Sequence, residues 1–200
     1  MLLALPAMAA EMPLPDLRIE PTDGGSVFYI RNNTMQTLKA YLIELVDYPG
    51  SSYSFWQDET VAEPLPSKGE RRIQVANMTV GAVPDYVKMR AALYADGSTA
   101  GVPEKIAELM DRRRTMLETV RQVITRMEGA QDDTAKSGLP AGLRRWADTL
   151  RPQGRNRNTP AAMNQAAAHG IVMSAAQRLE GQGLADTLSF LRSLEKTLSK

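Results

Sequence analysis

One histidine, His169, and no cysteine are what 200 residues offer to the commonest nucleophile–base and metal-ligand chemistries. The lack of cysteine excludes disulfides, zinc–thiolate sites and thiol nucleophiles together. His169 sits in an alanine-rich stretch and reads as a core or helix-surface residue, because no GxSxG or other nucleophile signature accompanies it. Asp47 with Asp58 and Glu59 is the one acidic grouping that suggests calcium, yet no loop has the periodicity of calcium ligands. Gly24-Gly25 and Gly181-Gln182-Gly183 lack the flanking pattern of a phosphate loop. Nothing points to the paired carboxylates of a glycosidase. No catalytic, cofactor-binding or metal-binding residue is assigned, and no cofactor is expected.

Two groups suit binding rather than bond-breaking. Tyr48, Tyr53, Phe55 and Trp56 follow the turn Pro49-Gly50 and precede Gln57-Asp58-Glu59, which places them at a loop tip. Aromatics there would anchor a partner or stack on sugar. The alternative is that they plug one end of a β-sandwich or dock a helical tail. The second group is a basic run, Arg144, Arg145, Arg151, Arg155 and Arg157, opposed in sequence by Asp148 alone. It would suit an anionic envelope surface. The alternative is a solvated or intramolecular role. No nucleic-acid fold signature accompanies it, so nucleic acid is not the expected partner. The residues named as partner contacts are Tyr53, Phe55, Trp56, Arg144, Arg145, Arg155 and Arg157.

The elements that must position these groups change character near residue 100. Over 16–98 the pattern has period two. Leu17 to Glu20 alternates, Thr22 to Gly25 turns, and Ser26 to Arg31 is aromatic and β-branched. Met35 to Tyr48 is the strongest strand, with Leu38, Ala40 and Leu42 on one face and Tyr41, Ile43 and Leu45 on the other, so both faces are covered. Val61 to Lys68 carries Pro64 and Pro66 and can be only an edge or a loop. Glu70 to Val80 and Tyr86 to Tyr94 alternate again, and Asp96-Gly97 ends the run. Short strands at this spacing predict an antiparallel, immunoglobulin-like β-sandwich.

From Pro103 to Glu128 the period becomes helical. Ile106, Met110, Arg113, Leu117, Val120, Ile124 and Met127 fall at spacings of three and four, widened by Leu109, Met116 and Val123. Pro103 suits the first helical position, Glu104 the positive end of the dipole, and Gly129 the closing turn. Arg113 breaks the apolar line and is read as packing its stem while its head reaches water, with a specific interfacial ion pair as the alternative, and the run Arg112–Arg114 is read as a solvated face. Residues 129–138 read as a flexible linker. Three further helices follow within 139–199: a short one from Pro140, one capped by Thr159 and ended by Gly181, and a leucine-marked one from Leu184 to Leu198. A four-helix module buries these stripes. Its wide stripe would accept a protein partner or a second copy of the chain as readily as an internal helix.

Composition agrees with globular modules, at 43% apolar and 24% charged. Residues 11–100 hold 8 Lys+Arg against 12 Asp+Glu, and residues 101–200 hold 16 against 11. The halves therefore differ in sign. Residues 1–10, MLLALPAMAA, have an apolar run and a small-x-small site without a basic start, and read as a truncated signal peptide cleaved after Ala9 or Ala10. That predicts a periplasmic or secreted protein, or a cytoplasmic one if Met1 is the true start. The stretch from Ile30 to Ala95, with NNTMQTLKAYLIELVDYPGS and NMTVGAVPDYVKMRAALYADG, resembles uncharacterised exported bacterial proteins that join a small β-sandwich to a helical tail. That group implies no catalytic residues. The expectation is an α+β chain of two modules with a non-enzymatic binding or structural role. An enzyme with a carboxylate-based site at the junction and a cytoplasmic adaptor are the alternatives.

Overall fold

The computed structural model describes residues 12–47, 53–76, 86–130, 133–152 and 159–199. The leader reading at 1–10 and residues Tyr48, Arg155 and Arg157 lie outside them. Seven strands, β1 (Asp16–Thr22), β2 (Gly25–Arg31), β3 (Leu38–Leu45), β4 (Ser54–Asp58), β5 (Glu70–Ala76), β6 (Val87–Tyr94) and β7 (Thr99–Gly101), precede three helices, α1 (Pro103–Glu128), α2 (Asp133–Thr149) and α3 (Pro160–Leu198). The chain is α+β. It divides into two compact units, one of Met1–Ser51, Phe55–Asp58 and Glu63–Ile106, the other of Ser52–Ser54, Glu59–Ala62 and Ala107–Lys200.

The sheet unit holds a three-stranded sheet, β1-β2-β5, and a four-stranded sheet, β4-β3-β6-β7. β1 and β5 alternate between half-buried and exposed residues over much of their length, as strands with one wet face do. Leu38 to Ile43 are buried on both faces of β3, as their composition predicts. Register shifts beside Leu38/Ala40 and Leu42/Ile43 bend that strand against β6. Gly101, at φ 113°, has no room for a side chain, since a Cβ there would collide with the Arg90 carbonyl oxygen.

Several boundaries move. The strand expected from Met35 begins at Leu38, and Met35 is 80% exposed. The chain before it is tied instead into a polar cage. Asn32, fully buried, donates through Nδ2 to the carbonyl oxygens of Gln36 (2.7 Å), Leu65 (3.1 Å) and Pro66 (3.1 Å). Its Oδ1 accepts from Thr34 N (3.1 Å) and Thr34 Oγ1 (2.8 Å). Those bonds satisfy backbone groups that a longer strand would have paired. Residues 64–69 form a loop bonded to the chain at Leu38, consistent with the two prolines. A strand, β4, occupies Ser54–Asp58, and a short β7 pairs with β6 beyond the boundary expected at residue 98.

In the helical unit α1 has the predicted span, but its buried face is rotated. Leu109, Arg112, Arg113, Met116, Thr119, Val120, Val123, Ile124 and Met127 are buried, whereas Met110 is 44% exposed. α2 starts at Asp133, so the linker expected over 129–138 is partly helical and Pro140 lies inside the helix. Asp133 and Thr134 are residue types that favour a helix start, and Pro140, eighth in the helix, forfeits one backbone hydrogen bond within it. Thr159 caps α3 through Oγ1, which accepts from Ala162 N at 3.2 Å. The last two expected helices are one element broken at Gly183 (φ 82°, ψ 176°), two residues after the predicted stop. Small residues Ala162, Ala168, Ala175 and Ala176 form much of its buried face. Arg121 bonds Glu195 at 2.8 Å and Arg192 bonds Glu128 at 2.6 Å, joining α1 to the second half of α3.

Candidate binding cleft in the helical unit

The expected aromatic tip does not form as a tip. Phe55 lies on β4, edge-on to Phe28 of the other sheet (6.5 Å, 82°) and 6.4 Å from the Tyr41 ring. Tyr53 and Trp56 are half-buried. Burial pushes the Tyr53 phenol up to about 12. The Tyr41 hydroxyl donates to Oε1 of Gln57, which also accepts from Arg71 Nη1 at 3.3 Å. Desolvation raises Tyr41 to about 12 against the opposing pull of Arg71. Tyr53-Ser54-Phe55 begins to alternate, but Phe55-Trp56 and Gln57-Asp58 break the period, so periodicity does not reveal β4.

Two of the three described arginines of the basic run, Arg144 and Arg151, are paired with acids. Both terminal nitrogens of Arg144 meet the two oxygens of Glu180 on α3, and Arg151 Nε lies 3.1 Å from Asp148. The pairing lowers the Glu180 carboxyl and raises the Arg144 guanidinium from their ordinary values, chiefly through the hydrogen bond. Arg145 is exposed. Asp148 is therefore not the sole opposing charge; Glu180 was invisible to a local count because it lies 36 positions away.

Arg113 is corrected outright. Its head does not reach water but bonds Glu59 Oε1 at 2.9 Å, with side chains 5% and 8% exposed. It also reaches the Thr197 carbonyl oxygen at 3.5 Å. Beside it Arg112 Nε lies 3.4 Å from Asn164 Oδ1, and Asn164 Nδ2 donates to Asp111 Oδ2 at 2.7 Å. These groups are engaged with one another, which makes them a structural network. His169 is half-buried in α3, and its Nε2 meets no hydrogen-bonding group of the described residues. Among the described residues no three His, Asp or Glu side chains converge as a metal site. No described helix is long and apolar enough to cross a membrane.

Among the described residues an open cleft of about 360 Å³ lies between the C-terminal turns of α1 and the face of α2, lined by Arg126, Gly129, Gly138, Leu139, Gly142 and Leu143. Gly138 and Gly142 stand one helical turn apart, and a Cβ built on either meets nothing within 4 Å. The leucines supply apolar wall. Arg126 is the one charged lining residue among the described residues, and its guanidinium carbon lies 4.5 Å from the ring centroid of Trp146. Stacking on the indole holds the guanidinium plane and leaves its N–H edge to donate. Such an arrangement can bind and orient; it carries no nucleophile or base.

None of these lining residues stands out from sequence as a contact: Gly129 reads as the closing turn of α1 and Gly138 as the end of a linker. The available signal was two glycines four apart, followed by leucines and a tryptophan at helical spacing.

No protein-family model, curated protein or solved structure matches the chain.

Proposed function

We propose that this chain is an exported, non-enzymatic binding module that takes its ligand at the α1–α2 cleft. The observation that carries the reading is the Arg126–Trp146 stack beside an open, partly apolar cleft. A cavity with apolar walls and one placed polar group is the usual form of a small-ligand site. Export rests on the residues of 1–10 and on the resemblance at Ile30 to Ala95. The sheet unit is read as an immunoglobulin-like sandwich acting as scaffold. Its strand order supports this, since β1-β2-β5 and β4-β3-β6-β7 match the A-B-E and C′-C-F-G arrangement of such domains.

Amide-shift mapping with a mixed library of neutral and charged fragments tests the site. Perturbations concentrated at residues 138–146 support it; a library that moves none of them overturns it. Export is tested separately by expressing the gene with its upstream frame and sequencing the mature N-terminus. A start at Ala10 or Glu11 in the envelope fraction is expected, and retention of Met1 in the cytoplasm contradicts it.

A further inference from the structure

We infer that the ligand of the cleft is a small organic acid with an apolar body, an inference that rests on the binding reading above. Three features of the lining select that class. Among the described residues Arg126 is the one charged lining group, and it complements negative charge. Glu128, two residues on, is bonded to Arg192 at 2.6 Å. Leu139 and Leu143 then line a volume of about 360 Å³, which lies within the roughly 300–1,000 Å³ of small-molecule pockets. An anionic group at the guanidinium with an apolar body against the leucines satisfies both parts.

The glycines bear on this independently of charge. Glycine inside a helix is less stable than alanine, and here nothing would clash with an alanine methyl at 138 or 142. Packing therefore does not demand glycine at either position. Side chains there would fill the space in which the apolar body lies.

The probe is anilinonaphthalene sulfonate, an apolar anion, compared with the uncharged dye N-phenylnaphthylamine. A Trp56→Phe background leaves Trp146 as the energy-transfer donor. Saturable binding of the sulfonate with transfer from Trp146 is expected. The neutral dye should bind about tenfold more weakly, and Arg126→Gln should weaken the sulfonate by about tenfold, the scale of one charge-assisted hydrogen bond. Gly142→Leu, folded by circular dichroism, should abolish it. If the neutral dye binds as well, or Arg126→Gln changes nothing, the acid class is overturned while the cleft stands. If neither dye transfers energy from Trp146, or the sulfonate binds the folded Gly142→Leu protein unchanged, the cleft itself is overturned. Should Gly142→Leu not fold, the dye pair and Arg126→Gln decide.

Discussion

Arg113 Nη2 stands 2.9 Å from Glu59 Oε1 with both side chains almost sealed from water, so α1 carries a buried charge that the turn after β4 neutralises. A buried pair is weak evidence for net stability, because desolvation offsets attraction. Losing one member is another matter, since it strands the other charge.

Glu59→Ala is therefore expected to lower unfolding free energy by about 3–5 kcal/mol, read by urea denaturation. Replacing both partners with apolar residues, Glu59→Leu with Arg113→Met, should recover most of that loss. A single mutant within 1 kcal/mol of wild type, a loss on the scale of an exposed pair, contradicts the burial.

Asn32 makes a sharper case, because it serves as donor and acceptor to loops on either side of β3. Asn32→Ala removes five hydrogen bonds at once and leaves Thr34 N without its acceptor, and should cost about 3 kcal/mol or more. Asn32→Asp should be no better, because a carboxylate cannot donate to the carbonyls of Leu65 and Pro66. Thermal unfolding of both variants checks this. An Asp variant as stable as wild type would show that the donors do not matter.

These two cases show where the sequence was legible. Pro103, Glu104 and the three-and-four spacing located α1 to the residue. Its rotation was misjudged because arginines were counted as outward-facing, and their partners, Glu59 and Asn164, come from distant parts of the chain. β3 was legible from its apolar faces, but its start was not, since Asn32 replaces ladder bonds by side-chain bonds over 33 and 34 positions. α2 was shortened because Pro140 was taken as a start when it lies eighth in the helix. The cleft left almost no trace, being defined by absent side chains and by the approach of two helices.

Glycines divide by backbone geometry. Gly138→Ala and Gly142→Ala should each raise stability by about 0.5–1 kcal/mol, because helical φ/ψ suits alanine and the space is open. Gly101→Ala should destabilise, with its positive φ and the Arg90 carbonyl in the way. Melting temperatures moving the same way in all three would contradict the assigned conformations.

Alkaline pH gives a fourth test. Burial raises Tyr41, Tyr53 and Tyr94 from 10.0 to about 12. The unfolded chain loses these protons first, so the native state holds more of them between pH 10 and 12 and stability falls as pH rises through that window. Tyrosinate absorbance should show Tyr41, Tyr53 and Tyr94 ionising only near pH 12 or on unfolding. A single titration at the ordinary value for all six contradicts the burial.

The central claim, a ligand cleft between α1 and α2, is tested most directly by comparing sulfonate-dye affinity in folded wild type and folded Gly142→Leu. Saturable binding that disappears when the leucine occupies the cleft is the predicted result. Equal binding by the two proteins would contradict the account.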